Sequence, residues 1–138
     1  MIVFKLDHVR KVAGRHCTDT TGIGYFDSEK SAQDAIRQLL NQPGFCDYSD
    51  DFRMEKLSVP DIGKTETQSY VYDVWHEWEL DADTTYVTFL GVYAKESSAQ
   101  NRIEKCRRRE KFRKHPDGFG YARNELNQIS WQEGFVIE

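Results

Sequence analysis

The chain has 138 residues, of which 30% are charged and 13% aromatic, and its formal net charge is −4. This composition excludes a disordered or low-complexity chain, and the length fits one ordinary domain or two very small ones. No apolar run approaches the roughly 20 residues of a membrane helix, and three widely spaced cysteines, Cys17, Cys46 and Cys106, exclude a disulfide framework, so a cytoplasmic location is expected.

Ile2 to Val9 alternates imperfectly, with Phe4, Leu6 and His8 on one face, and predicts a first strand. Ala13 to Gly22, rich in Gly, Thr and Asp, predicts a hairpin loop, and Ile23 to Phe26 the returning strand. Asp27 or Ser28 can cap the helix that follows, whose apolar stripe is Ala32, Ala35, Ile36, Leu39 and Leu40. Gln42-Pro43-Gly44 stops that helix, Phe45 to Asp51 reads as a loop and Phe52 to Leu57 as a third strand. Val59 to Ser69 is either a linker or a degraded fourth strand.

Tyr70 to Leu80 predicts a half-buried strand with Tyr72, Val74, His76, Trp78 and Leu80 on its inner face, and Thr85 to Tyr93 the strand that returns from a turn at Asp81 to Thr84. A second helix is predicted from about Lys95 to Glu110, with Ala99, Ile103 and Cys106 as its buried seam. His115-Pro116-Asp117-Gly118 reads as a turn in which glycine supplies a positive φ. Phe119 to Arg123 and Trp131 to Ile137 are the last two predicted strands.

The two halves read alike. Set 67 residues apart, they match without a gap at Gly24/Gly91, Glu29/Glu96, Ser31/Ser98, Ala32/Ala99, Gln33/Gln100, Ile36/Ile103, Phe45/Phe112, Asp50/Asp117 and Phe52/Phe119. Roughly two or three identities would arise by chance over that window, which favours a duplication. A shift of 68 also pairs Val3 with Val71 and His8 with His76, placing a one-residue change in the first hairpin loop. The expected architecture is therefore α+β: tandem ββαβ(β) repeats, 1–68 and 69–138, in one domain, a two-layer sandwich with sheet on one side and both helices on the other. About 70 residues bury too little apolar surface to stand alone, so the halves are expected to share a core.

Candidate chemistry is sparse. His76-Glu77 opens like H-E-x-x-H, but position 80 is Leu80, and a strand sends neighbours to opposite faces where the zinc motif needs one helical face. His8 and His76 read as core histidines. No cysteine has a C-x-x-C partner, His16-Cys17 lacks a residue to orient the imidazole, and Gly22-Ile23-Gly24 is not a dinucleotide loop. No cofactor, metal site or catalytic group is predicted.

Charge is locally segregated. Glu77, Glu79, Asp81 and Asp83 form an acidic run, while Arg102 to Lys114 holds eight basic residues against Glu104 and Glu110. The two patches could pair with each other or with a partner. Trp75 lies opposite Trp78 in the strand pattern, and an exposed tryptophan rimmed by acids would be a protein-binding hot spot. The expected partner-binding residues are Trp75, Glu77, Glu79, Arg107, Arg108, Arg109, Lys111 and Arg113. Nucleic acid held by the basic run 102–114, with Phe112 or His115 stacking a base, is one alternative. A small-ligand or enzymatic module in a groove between the repeats, using His76 and Glu77, is the other.

The second half carries H-E-W-E-L at 76–80, F-L-G-V-Y at 89–93, H-P-D-G-F at 115–119 and W-Q-E-G-F at 131–135. This pattern resembles a family of short bacterial domains of unknown function. The resemblance covers about the last 68 residues and implies a fold without an activity. The first half keeps His8, Gly24 and Phe52 but has Lys64-Thr65-Glu66-Thr67-Gln68 where the closing motif would lie. The function expected from all this is a small, non-enzymatic protein that binds another protein in a regulatory or toxin-neutralising role.

Overall fold

The computed structural model describes residues 1–11, 18–41, 51–82 and 84–130. Six strands, two α-helices and one 3-10 turn follow in the order β1 (Ile2–Lys11), β2 (Thr18–Phe26), α1 (Glu29–Leu39), β3 (Phe52–Ser58), β4 (Tyr70–Asp81), β5 (Thr84–Tyr93), α2 (Glu96–Arg107), the 3-10 turn Glu110–Phe112 and β6 (Phe119–Glu125). The class is α+β, with two three-stranded antiparallel sheets ordered β2-β1-β3 and β5-β4-β6. The predicted helix stop at Gln42 to Gly44, all of the predicted loop Phe45 to Asp51 except Asp51 itself, Cys17, Cys46, Asp83 and the strand Trp131 to Ile137 lie outside the described residues.

Contacts group the chain into two compact units. One holds Met1 with Ser58–Asn124, and the other holds Ile2–Leu57 with the chain from Glu125 onward. This division is not the sequence division at 68/69, because 58–68 groups with β4–β6, and the chain from Glu125 groups with β1–β3. Each unit has its own apolar cluster. In the first-half unit α1 lays Ala32, Ala35 and Leu39 against Leu6, Ile23 and Phe26, with Ile129 packed at the margin. In the second-half unit α2 lays Ala99, Ile103 and Cys106 against Val74, Leu90 and Phe112. The helical seams are those that the i, i+3, i+4, i+7 spacing predicts.

The hairpins share an irregularity. Leu6 pairs with Gly24 and Asp7 with Gly22, which leaves Ile23 as an extra residue; Val74 pairs with Gly91 and Trp75 with Phe89, which leaves Leu90. Such a bulge turns both extra residues inward, where Ile23 and Leu90 are buried. The glycine after each has a positive φ, 157° at Gly24 and 137° at Gly91, a region L side chains rarely enter. A buried histidine also meets a phenylalanine edge-on in each unit, His8 with Phe52 at 4.9 Å and His76 with Phe119 at 4.6 Å.

Three expectations change. Strand β2 begins at Thr18, not at Ile23, because Thr18 and Thr20 pair with Lys11 and Val9 and extend the hairpin; β-branched residues read as loop are here in a ladder. Residues 59–69 form turns and extended chain, without a strand. Gly118 does not have a positive φ. Glycine is needed there because a Cβ would press into the Glu77 carbonyl oxygen and come within 3.1 Å of His76 Nε2.

Candidate functional site

The distal half of the β4–β5 hairpin is where apolar and acidic side chains meet solvent together. Strand alternation turns Val74 and His76 inward beneath α2 and sends Trp75, Glu77 and Glu79 to the opposite face. Glu77 is opposite Val87 and Glu79 opposite Thr85, so both carboxylates flank the apolar Val87. Leu80 is 56% exposed, Tyr86 50% and Val87 63%. These are three of the four large hydrophobic side chains that stand out from the surface among the described residues, the other being Ile2. Exposed apolar side chains gathered at one end of a hairpin and flanked by carboxylates mark an interaction surface better than scattered apolar residues do.

The two tryptophans occupy places that periodicity alone does not give. Trp75 is half-buried across β6: a Cβ at Gly120 would lie 2.6 Å from its indole, so the ring rests on bare backbone. Trp78, expected in the core, is also only half-buried. It stacks between His115, at 4.6 Å and an interplanar angle of 6°, and Tyr86, at 4.9 Å and 27°. That three-ring stack lies on the face of the hairpin opposite Val87, and stacking of this kind stabilises beyond area burial.

His76 is 2% exposed, walled by Phe112 and Phe119 with ring centroids at 4.6 Å, and its Nε2 donates to the His115 carbonyl at 2.8 Å. Glu77, the next residue, is exposed and donates its backbone N–H to the Gly118 carbonyl at 2.9 Å. The histidine and the carboxylate therefore face opposite ways and do not act as a pair. Their shared work is to hold the His115–Gly118 turn against β4, which brings His115 onto Trp78.

The basic run follows the end of α2. Arg107, Arg108, Arg109, Lys111 and Arg113 are all exposed, and Phe112 alone turns into the core. Arg107 pairs with Glu104 one turn back at 2.7 Å, and its guanidinium lies 5.9 Å from the Phe119 ring centre. Among the described residues no ion pair joins this run to Glu77 or Glu79. Among the described residues Glu77 and Glu79 do not neutralise the basic run.

Asp61 is a residue that the linker reading missed. Helix α1 caps itself, Ser28 Oγ accepting from the Ser31 N–H at 3.1 Å, whereas the residue before α2 is Lys95, which has no side-chain oxygen to offer. The Asp61 carboxylate, 33 residues upstream, instead holds the chain that enters the helix, accepting from the Ala94 N–H at 2.6 Å and the Lys95 N–H at 2.9 Å, while the Ser98 N–H, the counterpart of that of Ser31, bonds to the Lys95 carbonyl at 3.2 Å. Burial pushes its pKa up, but hydrogen bonds from Ala94, Ser98 and Lys95 outweigh burial and leave it below its ordinary value. Asn127 makes the same contact in the other unit, its side-chain oxygen accepting from the Asp27 N–H at 3.1 Å. A depression of about 280 Å³ beside Asp61 is lined by Tyr93, Ser98, Asn101, Arg102 and Lys105. Burial raises the Tyr93 pKa, and the Arg102 charge partly offsets that.

Among the described residues there is no group of three or more His, Cys, Asp or Glu side chains that could hold a metal, and no helix long and apolar enough to cross a membrane. No family model, curated protein or solved structure matches the chain.

Proposed function

We propose that this is a cytoplasmic protein that binds another protein through the distal β4–β5 hairpin, in a regulatory role. The observation that carries this reading is the exposure of Leu80, Tyr86 and Val87 at the end of one hairpin, with Val87 flanked by Glu77 and Glu79 on one face and Tyr86 on the other. Burying these three side chains in a partner would contribute several kcal/mol, at roughly 25 cal/mol per Å² of apolar surface. The carboxylates would exclude wrong partners and speed association with a basic one. Trp78, fixed by His115 and Tyr86, supplies a preorganised aromatic anchor on one face of the hairpin, and Trp75 shares the other face with Glu77 and Val87. The repeated bulge, glycine and His–Phe contact belong to the same reading: two copies of one unit, of which the second carries the acidic hairpin.

The test is capture from native extract with the wild-type chain and with Tyr86→Ser/Val87→Ser. Both positions are exposed, so the variant keeps the fold. A polypeptide retained by the wild type and lost by the variant supports the reading. Equal retention by both removes the hairpin from the site.

A further inference from the structure

The depression of about 280 Å³ at the end of β5 is lined by Asp61, Tyr93, Ser98, Asn101, Arg102 and Lys105, and shares no residue with the hairpin surface. In the first-half unit the chain itself fills the corresponding place. There 127–130 runs along β2, with Asn127 N–H donating to the Tyr25 carbonyl at 2.8 Å and Ser130 N–H to the Ile23 carbonyl at 2.7 Å. A Cβ at Gly24 would collide with the Gln128 carbonyl oxygen. In the second-half unit the Leu90 carbonyl, placed by the bulge as that of Ile23 is, accepts instead from the Arg102 Nε–H at 3.1 Å. The Tyr93 phenol lies over the glycine there, its hydroxyl 3.0 Å from where a Cβ of Gly91 would stand. Side chains thus line in one unit what main chain fills in the other.

Where the two linings differ, they differ in one chemical direction. Ser31, Ala32 and Ile36 of α1 recur in α2 as Ser98, Ala99 and Ile103, so the helical scaffold is kept. Around it Tyr93 stands in the place of Phe26, Asn101 of Asp34, Arg102 of Ala35 and Lys105 of Gln38. These four positions gain a hydroxyl, a guanidinium and an ammonium, and lose a carboxylate. The helical seam requires none of them, since α1 packs with Phe26 and Ala35 buried at two of the same places.

We propose that this depression binds a small phosphate monoester that carries hydroxyl groups, with the phosphate on Arg102 and Lys105 and a hydroxyl on Asp61. Arg102 and Lys105 are neighbours on one helical face and together match the charge of a phosphate dianion. The Nε bond to Leu90 orients the guanidinium, so its donors meet phosphate oxygens at fixed angles. Asn101 and Tyr93 add uncharged donors. Burial raises the Tyr93 pKa more than the Arg102 charge lowers it, so the phenol keeps its proton. Burial also pushes the Asp61 pKa up, but the hydrogen bonds from Ala94, Ser98 and Lys95 outweigh it and keep the carboxylate charged. A charged carboxylate repels an oxyanion and accepts from a hydroxyl, which favours a polyol ester over inorganic phosphate. The volume lies near the lower end for ligand pockets, about 300 Å³, and limits the ligand to a small one.

The test is titration of the full, isotope-labelled chain with ribose 5-phosphate and with glycerol 3-phosphate, read by amide NMR shifts. Amides from Tyr93 to Lys105 should move saturably with at least one ester below about 10 mM. Ribose, glycerol and inorganic phosphate should each bind at least about tenfold more weakly than that ester, having lost the hydrogen bonds of one end. Lys105→Gln, at an exposed position, and Tyr93→Phe, which removes only a hydroxyl, should each weaken the ester about fivefold or more. Arg108→Gln/Arg109→Gln removes two charges that do not line the depression and should change its affinity less than about twofold. The proposal is overturned if neither ester moves these amides, or if inorganic phosphate binds as tightly as the better ester. It is equally overturned if Lys105→Gln and Tyr93→Phe both bind like wild type, or if the arginine pair matters as much as Lys105 does.

Discussion

Asp61→Ala tests whether a linker residue holds the junction from which the hairpin enters α2. The carboxylate accepts two N–H groups, at 2.6 and 2.9 Å, at a helix whose own first residue caps nothing. Loss of the acceptor for two amides costs about 1 kcal/mol at a partly exposed site, and loss of an anion at a helix N-terminus about 0.5 kcal/mol more. The variant should therefore be about 1.5 kcal/mol less stable at pH 7 and unfold roughly 0.5–1 M earlier in urea. Asp61→Asn, which keeps one acceptor oxygen, should lose about half as much. Trp75 and Trp78 belong to the same unit and report the transition by fluorescence. The sign of the pH dependence follows from the lowered pKa: the folded protein holds the carboxylate charged more readily than the unfolded chain does. The stabilisation is complete above the unfolded value, near pH 4, and is lost as pH falls through the lower folded value. The gap between wild type and Asp61→Ala should thus narrow between pH 4 and pH 3. No gap at pH 7, or the same gap at pH 7 and pH 3, would refute the capping account.

Gly118→Ala should cost roughly 2–3 kcal/mol, because its methyl group overpacks the Glu77 carbonyl and His76, and thermal unfolding would report it. His76→Ala should cost about 3 kcal/mol in urea titration, from the cavity left between Phe112 and Phe119 and the lost partner of the His115 carbonyl. Arg108→Glu/Arg109→Glu, both exposed, should change stability by less than about 0.5 kcal/mol and leave partner capture intact. Lost capture in that variant would move the site to the basic run.

Local pattern was legible where one physical cause acts over a few residues. Helical spacing gave the α2 seam, Ala99, Ile103 and Cys106, and in α1 gave Ala32, Ala35 and Leu39 together with Ile36, which is only partly buried, and Leu40, which ends the helix; of the two predicted caps, Asp27 and Ser28, it is Ser28 that caps. Alternation placed Trp75 and Glu77 opposite His76. Contacts between residues distant in the chain were not legible. Asp61 reaches Lys95, Trp75 covers Gly120, and His115 lies on Trp78, each through the return of a later or earlier segment that carries no periodic signal. Trp78 shows why the inner face of a strand is not the same as core: β4 runs on past the cluster that α2 covers, so the next inward residue stacks at the margin. The need for glycine at 118 was legible; its reason, close approach to β4, was not.

The most direct test of the hairpin as a protein-binding site is site-specific photo-crosslinking in native extract, with benzophenone placed at Val87 or at Arg108 of the full chain. The account predicts a discrete crosslinked polypeptide from position 87 that is absent in Glu77→Lys/Glu79→Lys, and none from position 108. Crosslinks from position 108 alone, or to nucleic acid from either position, would contradict it.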